Sequence, residues 1–467
     1  MINRKYVKIL ACVLAASLAM SAASCSSNTS DGTGTSDQSV VAGGEFSSSN
    51  DSEHALEVSG TSKSYSGIKV TKSGDSDKGD EADFYGDNSA VFASDGAELT
   101  IENASIDTNG KHANAVFSYG SGTTVNISNS TISTSGDCSG GLMTTGDGTM
   151  NATNLTIHTT GNSSAAIRSD RGGGTVKVEE GTYTTDGKGS PVIYSTADIT
   201  VSDASLESTS SEGVVVEGRN SVTLNDVTLI ADNNTNNSNK SSVHKAVMIY
   251  QSMSGDAAKG TAAFTMSGGS LQNKNGDVFF VTNTTAKITL SSAMIVNGDE
   301  NGVLLRAAAA GWGSEGSNGG KVDLYLNNQD AEGDIVVDKV SALNLYLGTE
   351  SSYTGAVNAA NEGEVYVAIE SGSQWVLTGD SYVKSLSCEA GAVNLNGYKL
   401  YVNGTAYTEG SASTGSAVVF ETSSSSHGGR PEGNPPDGKP GDKPDGSHEP
   451  PPGGRPEGTP PSKPDSI

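Results

Sequence analysis

The sequence repeats itself with a period near 25 residues, and that period constrains the fold more than any other feature. Successive units read SAVFASDGAELTIENASIDTNG from Ser89, NAVFSYGSGTTVNISNSTISTSG from Asn114 and GGLMTTGDGTMNATNLTIHTTG from Gly140. The apolar starts Val91, Val116, Leu142, Ile167 and Val192 are 25, 26, 25 and 25 residues apart. Each unit holds three short alternating runs, such as Val116/Ser118, Val125/Ile127 and Ile132, separated by Gly, Asn, Asp or Ser. Alternation over three to five residues predicts half-buried strands. A fixed period in the twenties predicts a solenoid, in which each unit buries its inner face only against its neighbours. The pattern continues to Leu400/Val402, giving about 11–13 coils and a rod on the order of 50–60 Å. It is interrupted by insertions at 232–244, 251–261 and 307–320.

The rest of the composition agrees with a solvated β protein. Apolar residues are 34%, aromatics 5%, and Gly numbers 59 in 467 residues, too little bulk for the wide core of an α/β enzyme. Ser, Thr, Asn and Gly oppose long helices. A formal charge of -26 argues against nucleic acid as a partner, since phosphates need a basic surface. Three strands per coil at this period resemble the right-handed parallel β-helix of the pectin-lyase-like superfamily. The expected organisation is a signal peptide over 1–24, a flexible Ser/Gly/Asp-rich tether over 25–54, the all-β solenoid over 55–426, and a disordered Pro/Gly-rich tail over 427–467. The tail holds 12 of the 13 prolines.

Residues 1–25 carry Arg4, Lys5 and Lys8, then an apolar run over 9–20, then Ser21-Ala22-Ala23-Ser24-Cys25. That order is a secretory signal, too short to span a bilayer permanently. Its end resembles a bacterial lipobox, with Ala22 where Leu is usual. The resemblance implies cleavage before Cys25, acylation with chains such as palmitate, and anchoring at the outer face of the bacterial membrane. Ordinary cleavage near Ala23 is the alternative. Cys138 and Cys388 remain, 250 residues apart and beyond one disulfide's reach in a solenoid.

If Val116, Leu142, Ile167 and Ile193 point inward, then Phe117, Met143, Arg168 and Tyr194 point outward. Val216, Ile249 and Phe280 are expected to continue that column. Tyr119 and Asp170 lie two residues further on, and Arg171, Arg219 and Arg306 at or past the same edge. Such a stripe predicts a linear groove for a polysaccharide or cell-surface glycan, with rings on sugar faces and Arg forks on carboxylates. A covering loop or a slipped register is the competing reading. On the groove reading, Arg168→Ala leaves folding intact. Trp312, in a Gly/Ala-rich loop, is either a stacking platform or a lid. Asp75, Asp77, Asp80 and Asp83 form an acidic segment that suits Ca²⁺ or is simply solvated. No paired aspartates with Gly-His-Gly and no nucleophile–base grouping occur, so no catalytic residue is assigned. The repeats also resemble adhesin-like lipoproteins and calcium- and sugar-binding β-helix modules. That resemblance implies a non-catalytic glycan-binding or adhesive rod. A polysaccharide lyase or glycoside hydrolase and a structural spacer are the alternatives.

Overall fold

The structure, a computed structural model, describes residues 40–420. The signal segment, Cys25 and the Pro-rich tail lie outside the described residues. Within them the chain is a parallel β-helix. One ladder of eleven strands runs from Leu56–Ser59 to Ile335–Val337. Its register pairs Val91, Val116, Leu142, Ile167 and Ile193 in sequence, so the 25-residue period is the register itself. A second ladder includes Thr124–Ser128 and a third includes Thr131–Thr134, each paired in parallel with the coils on either side. A residue in the left-handed region turns the second strand into the third, as at Asn103, Asn129 and Asn154 (φ 54, 49 and 53°). Asn tolerates this conformation better than most residues. The inward residues form one contiguous apolar core from Leu56 to Leu400.

The turn that leads back to the eleven-strand ladder is built from a recurring Thr-x-Gly-x-x-Ser: Thr134-Gly136-Ser139, Thr159-Gly161-Ser164 and Thr185-Gly187-Ser190. The Thr hydroxyl donates to the Ser carbonyl, at 2.6 Å for Thr134 and 2.5 Å for Thr159. The Ser hydroxyl ties its turn to the preceding coil as both acceptor and donor. Ser164 Oγ accepts the Ser139 N–H at 2.9 Å and donates to the Gly136 carbonyl at 3.0 Å. These bonds satisfy a narrow polar turn that the hydrophobic core does not reach, and they explain why so polar a sequence still packs. The Gly is required because the turns stack in contact: a Cβ on Gly161 would lie 1.9 Å from the Gly136 carbonyl oxygen.

One boundary and one loop differ from expectation. Val41–Ala42 and Glu45–Ser48 are strands paired with Tyr65–Ser66 and Lys69–Lys72. The first coil therefore begins inside the stretch read as tether, because Phe46 and its alternating neighbours can stack on Val70. The acidic segment after Lys72 contains a short helix, Asp80–Tyr85. Asp80, Glu81 and Asp83 in its first turn suit the helix dipole, and Gly86 (φ 73°) ends it. At the far end, Leu400–Val402 folds back antiparallel on Thr405–Ala406 and covers the last edge.

Candidate functional site

The outward column of the eleven-strand ladder is in register. Phe92, Phe117, Met143, Arg168 and Tyr194 follow one another on successive coils. Val215, Met248, Phe280 and Arg306 continue it. Val216 and Ile249, expected in this column, instead point inward and are fully buried. Unequal coil lengths beyond Tyr194 shift the count by one, and a one-residue shift exchanges faces.

The stripe is not an open groove. Phe117 and Met143 are fully buried and Phe92 nearly so. The helix Asp80–Tyr85 lies over them: Thr145 Oγ1 donates to the Phe84 carbonyl at 2.7 Å, and Tyr85 meets the half-buried Tyr119 edge-on at 6.0 Å. Further along, Val243, Ala308, Ala310 and Trp312 pack over Val215, Met248 and Phe280. Covering such a row removes apolar area from water at about 25 cal/mol per Å². Trp312 belongs to this cover, edge-on to Tyr250 at 5.3 Å, and also lines a small cavity beneath it.

Between the two covers a pocket of about 310 Å³ remains. Its walls include Asp83, Arg168, Asp170, Tyr194, Glu217 and Tyr250. The insertions supply its rim through Asn237, Ser252, Ser254 and Asp256. Arg168 is held between two carboxylates, 3.3 Å from Asp83 Oδ2 and 2.9 Å from Asp170 Oδ2. Burial pushes Asp83 up, but Arg168, His112 and Asn114 together outweigh it and hold the carboxyl below its ordinary range. Asp170 has fewer donors, so burial wins over Arg168 and its carboxyl is raised. Arg168 is thus neutralised in charge by two carboxylates, while its Nη1 is buried without a hydrogen-bond partner. On the opposite wall, Tyr194 OH donates to Glu217 Oε2 at 2.5 Å. Tyr250 OH donates to the same oxygen at 3.1 Å. Burial is the main cause raising both phenols; Tyr250 and then Glu217 add to it at Tyr194, and Glu217 adds to it at Tyr250. Glu217 Oε1 is buried without a hydrogen-bond partner.

The remaining sequence candidates divide. Arg171 closes the rim, bonded to Asp256 Oδ1 at 2.7 Å and stacked 3.9 Å from the Phe84 ring centre. Arg219 is exposed beside the 251–260 loop, and Arg306 is paired with Asp277 at 2.5 Å; neither lines the pocket. Asp75, Asp77 and Asp80 are exposed while Asp83 turns inward, so the four carboxylates do not gather as a Ca²⁺ set. Sequence reading missed Glu217, Tyr250 and Asp256. The first two lie two residues beyond the outward Val215 and Met248, and alternation misses them because its count there runs one residue late. Asp256 arrives only through the folding of its loop.

Comparison with protein-family models, with curated proteins and with solved structures found no match. The reading of this site therefore rests on its own chemistry.

Proposed function

We propose that the chain is a surface β-helix, anchored through lipidated Cys25, that binds glycans without transforming them. The ligand enters the pocket end-on, as one or two sugar units, rather than lying along the rod. One observation carries this: Glu217 Oε1 is a buried acceptor with no partner, beside two tyrosine hydroxyls. An unsatisfied buried acceptor favours a ligand that brings a donor. The pocket wall carries Asp80, Asp83, Asp170, Glu217 and Asp256 against Arg168. That balance suits a neutral or amino sugar and disfavours an acidic one. The volume lies at the lower end of the roughly 300–1,000 Å³ range of small-ligand pockets. The parallel coils agree with the β-helix part of the resemblance read from the repeats; the lipoprotein and adhesin parts belong to the proposal.

A hydrolytic reading draws on one observation, that Asp170, raised by burial, and Glu217 line the same pocket. Calorimetry against neutral, amino and acidic oligosaccharides, with product analysis on the same samples, separates the readings. The expected result is binding of a neutral or amino sugar without product, weakened about 10-fold or more in Glu217→Gln. Failure of every glycan to bind, or unchanged binding by a folded Glu217→Gln, overturns the proposal. Product release supports hydrolysis instead.

A further inference from the structure

Behind the pocket wall three groups with no common role in the fold converge. Asp83 comes from the short helix. His112 and Cys138 occupy the same slot of the Thr-x-Gly turn on consecutive coils, one residue before Ala113 and Ser139, with matching left-handed backbones (φ 57 and 56°). The next two slots hold Ser163 and Gly189. Shared backbone geometry stacks the His112 and Cys138 side chains at about the 4.8 Å strand spacing. A carboxylate oxygen of Asp83, a ring nitrogen of His112 and the sulfur of Cys138 all lie within 4.8 Å of one another. His112 is 3% exposed. Its Nδ1 lies in ion-pair contact 3.2 Å from Asp83 Oδ1 but outside good hydrogen-bond geometry. A buried ring nitrogen facing a carboxylate and a sulfur, with no well-formed hydrogen bond to either, has the arrangement of a ligand set.

We propose that Asp83, His112 and Cys138 bind a borderline transition-metal ion, Zn²⁺ fitting best. Ligand bonds of about 2.0–2.3 Å in a tetrahedral site put ligand atoms about 3–4 Å apart, which accommodates the Asp83–His112 separation. One sulfur and one imidazole select against Ca²⁺ and Mg²⁺, which take oxygen. Binding requires the Cys138 thiol to give its proton to solvent, so affinity falls at low pH. The fourth position belongs to water or a donor from the cavity, which Asp83 also lines. This site is independent of the glycan reading.

The test titrates the reduced full chain with Co²⁺ alone, then displaces it with Zn²⁺. The expected result is a thiolate-to-cobalt charge-transfer band that Zn²⁺ removes. Cys138→Ser abolishes the band. His112→Gln weakens binding by at least the roughly 10–100-fold seen when supporting residues of metal sites are lost. Peptide mapping gives a second readout: Zn²⁺ slows alkylation of Cys138 and leaves Cys388, buried elsewhere, unchanged. A band that persists in Cys138→Ser places the ion elsewhere and overturns the proposal. Should the variants misfold, absence of Zn²⁺ protection at Cys138 in the parent overturns it equally.

Discussion

Gly161→Ala abolishes or severely weakens the middle of the rod. Gly110, Gly136, Gly161 and Gly187 stack so closely that a Cβ on each would lie 1.8–2.0 Å from the carbonyl oxygen of the preceding turn. That oxygen is backbone, and the turns are clamped by bonds such as Thr160 N–H to the Thr134 carbonyl at 2.9 Å. No flexible side chain can yield, so the coils must separate. The expected loss is about 3 kcal/mol or more, at the upper end for overpacking. Because a solenoid's stability is a sum of neighbour terms, unfolding should also split into two transitions. Gly120→Ala is the control. Gly120 has φ 89°, and a Cβ added there would meet nothing within 4 Å, so only backbone strain of about 1–2 kcal/mol applies. If Gly161→Ala melts with the parent in denaturant or heat, the stacked-turn geometry is wrong.

Arg168→Ala is expected to destabilise the fold by about 3–5 kcal/mol, because it strands two carboxylates whose side chains are only 4% and 10% exposed. An outward residue on a solvated rod would give no such effect. The register is right; the consequence differs because the helix covers the position. Asp83→Asn with Asp170→Asn in the Arg168→Ala background should recover part of the loss. The pH dependence has a definite sign. With Arg168 present, Asp83 is depressed, so its contribution is present above the ordinary carboxylate range and lost as pH falls through the depressed value. Asp170 is raised, so its charge opposes folding above its raised value. Without Arg168, burial acts on both unopposed by that charge, and protonation relieves them. The deficit of Arg168→Ala should therefore shrink on acidification. Equal melting of parent and variant at neutral pH would show that the cluster is solvated.

The in–out alternation from Val116 to Tyr194 is readable because every strand there is a period-two run of near-constant spacing. The insertions are equally legible, and all three contribute to the pocket or its cover. The cover at the other end is not. Asp80–Tyr85 is too short to show helical periodicity, and its acids read as a solvated or Ca²⁺-binding loop. Asp83 also precedes Arg168 by 85 residues, a pairing that no local pattern encodes. Beyond Tyr194, coils of unequal length blur the count, which is why alternation puts Val216 and Ile249 on the wrong face and overlooks Val215 and Met248.

The short helix also changes how the rod carries load. A bare solenoid touches only its nearest rungs, so tension along its axis can peel them off one by one. Here one six-residue segment and the glycine that ends it engage four rungs at once. Gly86 lies against Phe92 and Phe117, Phe84 is bonded to Thr145, and Asp83 is paired with Arg168. Arg171 adds a tie to Asp256, on a loop three rungs further on. Those rungs can part only together. A pull on the N-terminal end of the rod therefore meets a riveted block where a zipper would otherwise begin, and the pocket lies beside that block.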